Sequence, residues 1–257
     1  MGGQAAPAKK TPKAAPAKKP AQKKRAPSKN SQKAGSKSRR SNRPPEFPAD
    51  AGTSRASAAA GMDRADCRRE LEKRGVRVTE LEKLPGVEMP VRLLGPVGGV
   101  VFKSDYPDAQ RPTLPFEVFD CRLVVALAHF AAILREHDVT EVRIFSAYRP
   151  PPKATPAAVV RTGHPGGLAV DLRLFIESSG ARLEVLNDFH GQIGADPCGS
   201  GAPGGTEKSP TRELRSIFCA GVRERLFHLM LSPNYDRPHR NHFHVEVRPE
   251  VRWFIVR

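Results

Sequence analysis

Four residues of this chain have the types and spacing of a metal centre with a proton-transfer partner. His164 and Asp171 lie in Thr162-Gly163-His164-Pro165-Gly166-Gly167-Leu168-Ala169-Val170-Asp171, and His242 and His244 follow far downstream in His242-Phe243-His244. Two imidazoles and one carboxylate suit a catalytic Zn²⁺, whose fourth position is left to water. The spacing has a mechanical sense. Leu168 to Leu172 reads as a strand, so a Gly-rich turn can carry His164 back toward Asp171. Side chains alternate along Asn241 to Val247, so His242 and His244 share one face of a strand. One of the two can bind metal while the other, about one side chain away, handles protons. The plain alternative is a set of unrelated polar side chains.

The elements that must position these residues follow from periodicity. Cys67 and Leu71 predict a short amphipathic helix over 64–73, and Val124, Leu127, Ala131 and Leu134 predict a second over about 117–136, with Cys121 beside the stripe. Short apolar runs between 78 and 103, broken by Gly and Pro, read as strands and turns, and 141–146 reads as a strand ended by Pro150-Pro151-Pro152. Residues 181–186 suggest a further strand, 191–210 a long loop, and 211–231 a helix with Leu214, Ile217, Phe218, Val222 and Leu226 on one face. The expected fold class is α+β: a small antiparallel sheet carrying the ligands, flanked by helices, in one domain over 62–257.

Composition sets the N-terminus apart. Residues 1–45 hold 10 Lys and 4 Arg with no acidic residue, so they carry 14 of the chain's 16 net positive charges. No large apolar residue follows Met1 until Phe47. Such a segment cannot bury enough apolar surface to offset its ordering entropy, and 1–61 reads as a disordered basic tail and linker. Its charge suits a spacer, an anionic envelope polymer or, through the tail only, nucleic acid. No aromatic residue interleaves with the charges to stack on bases, which places specific nucleic-acid binding last. No apolar run approaches transmembrane length, and none after Met1 makes a secretory signal. The sequence therefore leaves open a protein that stays inside, an export route it does not display, or a start further upstream.

Cys67, Cys121, Cys198 and Cys219 contain no CxxC pair, so a cysteine zinc site is not expected. An even number is compatible with two disulfides in three connectivities, against buried free thiols as the alternative at Cys121 and Cys219. Cys198–Cys219 is the favoured pair, because Cys198 sits in a Gly-rich loop free to reach. The expected compartment is then the cell envelope or periplasm, with the cytoplasm still open.

The motif His164-x6-Asp171 followed by His242-x-His244 resembles the zinc signature of the LAS superfamily, which includes D-Ala-D-Ala peptidases and MepA-type murein endopeptidases. Ser146-Ala147-Tyr148-Arg149 resembles the segment that precedes the first ligand in those enzymes. Within the group the chain is most similar to the extensin-like C-terminal domain family of bacteria, whose closing motif resembles Leu231 to His244; the likeness spans about 64–247. The resemblance implies zinc bound by His164, Asp171 and His244, with His242 as base or transition-state stabiliser and Arg149 holding a substrate carboxylate or carbonyl oxygen. Two departures from the pattern are Thr162, where Ser is usual, and the Pro-rich loop at 150–152.

These observations lead to an expected monomeric zinc peptidase acting on peptidoglycan peptides through activated water. A zinc-stabilised wall-binding module without turnover is the alternative, and a nucleic-acid-associated protein working through its tail is the third. Asp188 and Glu246 are candidates to orient a ligand imidazole, and His239 to orient the ligand strand. Tyr148 and Trp253 read as packing residues, and His129, His137, His190 and His228 as ordinary histidines.

Overall fold

The computed structural model describes Gly2 and residues 44–154, 156, 160–199 and 209–257. Contacts divide the chain into two units, 1–36 and 37–257; apart from Gly2 the described residues belong to the second. The expected disorder of the basic tail concerns residues outside those described, as does part of the 191–210 loop.

Four helices matter for the site: α1 (Arg55–Ala60), α2 (Arg64–Lys73), α3 (Cys121–Glu136) and α4 (Pro210–Arg223). Each starts where a short polar side chain accepts a free backbone amide: Ser54, Asp63, Asp120 and Ser209 respectively. In α3, 12 of 16 residues are buried, so it is the central helix of the core and not a surface amphipath. Truncating its fully buried Leu127 to Ala would cost about 2–5 kcal/mol.

The first strands are β1 (Val78–Glu80), β2 (Pro90–Leu93), β3 (Val101–Ser104), β4 (Phe119–Asp120) and β5 (Val139–Ile144). They are followed by β6 (Ala169–Glu177), β7 (Arg182–Glu184), β8 (Leu229–Leu231), β9 (Phe243–Glu246) and β10 (Ile255–Val256). Strands β1, β2 and β4 make a small antiparallel sheet. The main sheet runs β10-β8-β9-β6-β5-β3, with β7 also paired to β6. The α+β class stands, and the strands that carry the candidate ligands Asp171 and His244 are antiparallel; the pairs β3/β5 and β8/β10 are parallel. Val170, Leu172, Phe243 and Val245 enter the core, which sends the alternate residues Asp171, His244 and Glu246 to the other face.

Three expectations change. Residues 46–61 are not a linker: α1 buries Ala56, Ala59 and Ala60, Glu46 pairs with Phe254, and Arg225 binds Asp50. An alanine helix buries little area per residue and leaves almost no periodic signal. The helix expected over 211–231 stops at Arg223, because Arg225 takes a left-handed conformation (φ 48°) and Leu229–Leu231 continues as β8. The expected strand 181–186 is β7 followed by one helical turn, Val185–Asp188. Among the described residues, no helix is long and apolar enough to cross a membrane.

Both disulfides form, Cys67–Cys121 between α2 and the start of α3 and Cys198–Cys219 between the loop and α4. They close sequence separations of 54 and 21 residues. In the chain-entropy account such loops stabilise by about 4 and about 3 kcal/mol.

Candidate metal centre

Asp171 and His244 stand directly opposite one another in the β6/β9 register, which points their side chains to the same face. Asp171 Oδ1 lies 2.9 Å from His244 Nδ1 and 3.1 Å from His164 Nε2. One ligand atom from each of His164, Asp171 and His244 lies within 4.8 Å of the others, so the three expected ligands converge. His242, just before β9, brings its Nε2 to 3.4 Å from Asp171 Oδ1.

His164 reaches the strand because its turn is built from glycine. Gly163 and Gly167 have φ of +57° and +65°, conformations that other residues adopt at a cost. A Cβ on Gly166 would stand 2.7 Å from the Arg161 carbonyl carbon, so the turn closes only with glycine there. The preceding segment is stitched to the same strand: Phe145 N donates to Asp171 O (2.9 Å) and Asp171 N to Ser146 O (3.1 Å). Arg149 then folds inward. Its Nε donates to Ser146 Oγ (2.9 Å), and its Nη2 donates to Asp171 Oδ2 and to His164 Nε2. The side chain is still 51% exposed, so the rest of the guanidinium faces solvent.

Each imidazole is held by a second partner. His164 Nδ1 donates to Ala147 O (2.6 Å), which leaves the Nε2 lone pair directed at the cluster. His244 Nε2 lies 3.6 Å from Glu246 Oε2. Glu246 also accepts from Gly163 N (2.8 Å) and Arg248 Nε (2.7 Å), so one carboxylate ties the glycine turn to the ligand strand. His242 Nδ1 donates to Asn241 Oδ1 (2.9 Å). His239 Nδ1 is bound to Asp236 (2.6 Å), and its ring packs against those of His242 and His244.

The electrostatics favour positive charge here. Burial would raise the Asp171 pKa, but the imidazoles of His164 and His244 beside it outweigh burial and hold the carboxyl well below its usual value. Burial would lower the His244 pKa; its hydrogen bonds to Asp171 and Glu246 prevail and raise it to about 9. His242 behaves oppositely. Burial pushes it down to about 4, with Asp171 opposing and the neighbouring imidazoles adding to the shift. Two nitrogens and a carboxylate oxygen, one nitrogen backed by a carbonyl and the other by a carboxylate, form a donor set that fits Zn²⁺.

Of the residues left open by sequence, Glu246 is at the site and Asp188 is not; Asp188 accepts from Glu184 N (2.7 Å). Tyr148 is buried, with its hydroxyl donating to Pro85 O (3.0 Å). Sequence reasoning passed over Ser146 as the anchor of Arg149, and Phe145, whose ring meets His242 at 5.7 Å. The Ser146-to-Arg149 motif held the signal for Ser146; the sequence held none for Phe145.

A mixed sheet with one face in the core and the other carrying a buried carboxylate among imidazoles defines an α+β domain with a candidate divalent-metal site. Residues 65–256 match the family model described as Extensin-like protein C-terminus, and the chain belongs to that family. Neither a curated protein nor a solved structure was found to match it.

Proposed function

We propose that the domain is a zinc-dependent peptidase that hydrolyses amide bonds in peptidoglycan peptides of the cell envelope. The observation that carries the reading is the convergence of His164, Asp171 and His244 within 4.8 Å, with Arg149 on the same carboxylate. Zinc bound there would supply Lewis acidity and lower the pKa of a water to about 7. Arg149, anchored through Ser146 and half exposed, offers its remaining donors to a substrate carboxylate or carbonyl oxygen. His242 commits its Nδ1 proton to Asn241, so its Nε2 lone pair faces the cluster. From there it can take a proton from the attacking water and return it to the departing amine. Two disulfides support an oxidising compartment, and the resemblance to murein peptidases supports a wall peptide as substrate.

The test is zinc content and muropeptide digestion with wild type and His244→Ala. Stoichiometric zinc and new amino termini are expected from wild type, and neither from the variant. Equal zinc in both proteins would overturn the ligand assignment. Zinc without new amines would overturn the hydrolase and leave a wall-binding module.

A further inference from the structure

Beside the metal centre the sheet presents aromatic surface that the proposed chemistry does not use. Among the described residues six large apolar side chains are exposed, and two of them, Tyr106 and Phe145, line one cleft. With Ser104, Asp105, Pro107 and Ile144 they line an open cleft of about 280 Å³. Clustered exposed apolar surface in a concave site marks ligand contact more often than scattered residues do.

Phe145 links the cleft to the candidate metal centre. Phe145 donates its backbone amide to the Asp171 carbonyl, and its ring stands edge-on to His242 at 5.7 Å. The ring is also held in place. The β5/β6 register shifts by one residue at Arg173, and the Arg173 guanidinium lies 5.4 Å from the Phe145 centroid, with Asp105 3.0 Å from that guanidinium. Tyr106 is fixed by stacking on Phe116 at 5.3 Å. The polar groups of the lining are already matched: Ser104 Oγ donates to Glu117 (2.7 Å), and Asp105 pairs with Arg173 and Arg143. An aromatic wall whose one lining carboxylate, Asp105, is held by Arg173 and Arg143 favours apolar groups.

We propose that this cleft is a specificity pocket that takes an aliphatic side chain of the substrate, on the His242 side of the metal centre. The inference rests on the peptidase reading and names part of what that site selects. An aliphatic group of several carbons in such a pocket should discriminate against hydrogen by at least about tenfold.

The experiment titrates the full chain with N-acetyl-leucyl-alanine and N-acetyl-glycyl-alanine, followed by NMR, in the zinc-loaded protein and again after chelation. Hydrolysis is recorded separately. The expected result is at least tenfold tighter binding of the leucyl peptide. That preference should fall below about threefold in Phe145→Ala and Tyr106→Ala and return in part in Phe145→Leu. Both rings are about two-fifths exposed, so the unfolding midpoints should fall only slightly, and partial return of the preference in Phe145→Leu shows that the loss belongs to the pocket. Equal binding of the two peptides, binding of neither, or a preference untouched by the substitutions would overturn the pocket. Hydrolysis of both peptides at equal efficiency would remove the pocket and leave the peptidase standing. Leucyl-selective binding without hydrolysis would keep the pocket, and the muropeptide digestion then decides the peptidase.

Discussion

Asp120 and Asp171 are both buried carboxylates paired with an arginine, yet they are built differently. Asp120 is satisfied from close by in its own fold: Met89 N, Arg122 N, and Arg122 Nε and Nη2 all donate to it at 2.8–3.1 Å. Asp171 meets side chains that arrive from three separate segments: Arg149 after β5 and His244 on β9 donate to it, and His164 on the turn brings its Nε2 to 3.1 Å. The first arrangement caps α3 and braces the turn, since Asp120 N donates to Gly167 O (2.8 Å). The second gathers groups that each have another anchor, so they would stay in place if the carboxylate were spent on a metal. The carboxylate that braces the fold uses backbone amides and a near neighbour; the one at the candidate metal site collects imidazoles held from behind.

The largest expected effect separates the two. Asp171→Ala should abolish zinc binding, measured by metal analysis after dialysis, while the far-UV circular dichroism keeps its native form. Asp120→Ala should do the reverse: zinc retained below the unfolding transition, but denaturation free energy reduced by about 3–5 kcal/mol. Removing it strips the buried Arg122 of its main partner and α3 of its cap. An Asp171→Ala protein that fails to fold, or an Asp120→Ala protein of full stability without zinc, would erase the distinction.

Glu246 sharpens it one step further out. Its carboxylate stands behind His244 and also accepts from Gly163 and Arg248, so it could act on the metal or only on the turn. Glu246→Gln keeps the shape and much of the hydrogen bonding but removes the charge behind the imidazole. Zinc affinity should fall by about 10–100-fold, read by competition with a chelator of known affinity. Unchanged affinity would reduce Glu246 to a fastener of the glycine turn.

The candidate ligand cluster was legible in sequence because its residue types are rare together and a glycine turn and a two-residue period constrain where they point. The pairing that unites them was not legible. Asp171 opposite His244 is a matter of register between β6 and β9, which are more than 60 residues apart, and register is decided by which faces the core takes up. The α1 segment escaped for a different reason: Ala56, Ala59 and Ala60 pack well yet carry too little hydrophobic contrast to reveal a buried face. In Leu226–Leu231 only His228 interrupts the apolar residues, and such a run suits a buried helix or a strand equally until the left-handed Arg225 decides. Phe145 read as an ordinary strand residue, and only its exposure and its contact with His242 set it apart.

His228 extends the contrast to the histidines. The ligand imidazoles each keep one nitrogen toward Asp171, whereas His228 spends both on the fold. Its Nδ1 accepts from Arg248 N (3.0 Å), so its proton sits on Nε2, which faces Ser57 Oγ at 3.2 Å and ties α1 to the approach to β8. A second proton could enter only at Nδ1, against an amide hydrogen. Burial lowers the pKa to about 4, with Glu246 opposing and Arg248 adding to the shift. The unfolded chain takes up that proton near pH 6.5, so between pH 6.5 and 4 the unfolded state binds more protons and stability falls as pH falls. The contribution is complete above pH 6.5. By linkage it should be reduced by about 1.4 kcal/mol at pH 5.5. Urea denaturation of the wild type and of His228→Asn at pH 7.5 and 5.5 measures it. The wild type should lose about 1.4 kcal/mol more than the variant over that interval. Equal losses would mean that His228 opens to solvent on protonation at little cost, and that its two hydrogen bonds do not hold α1 in place.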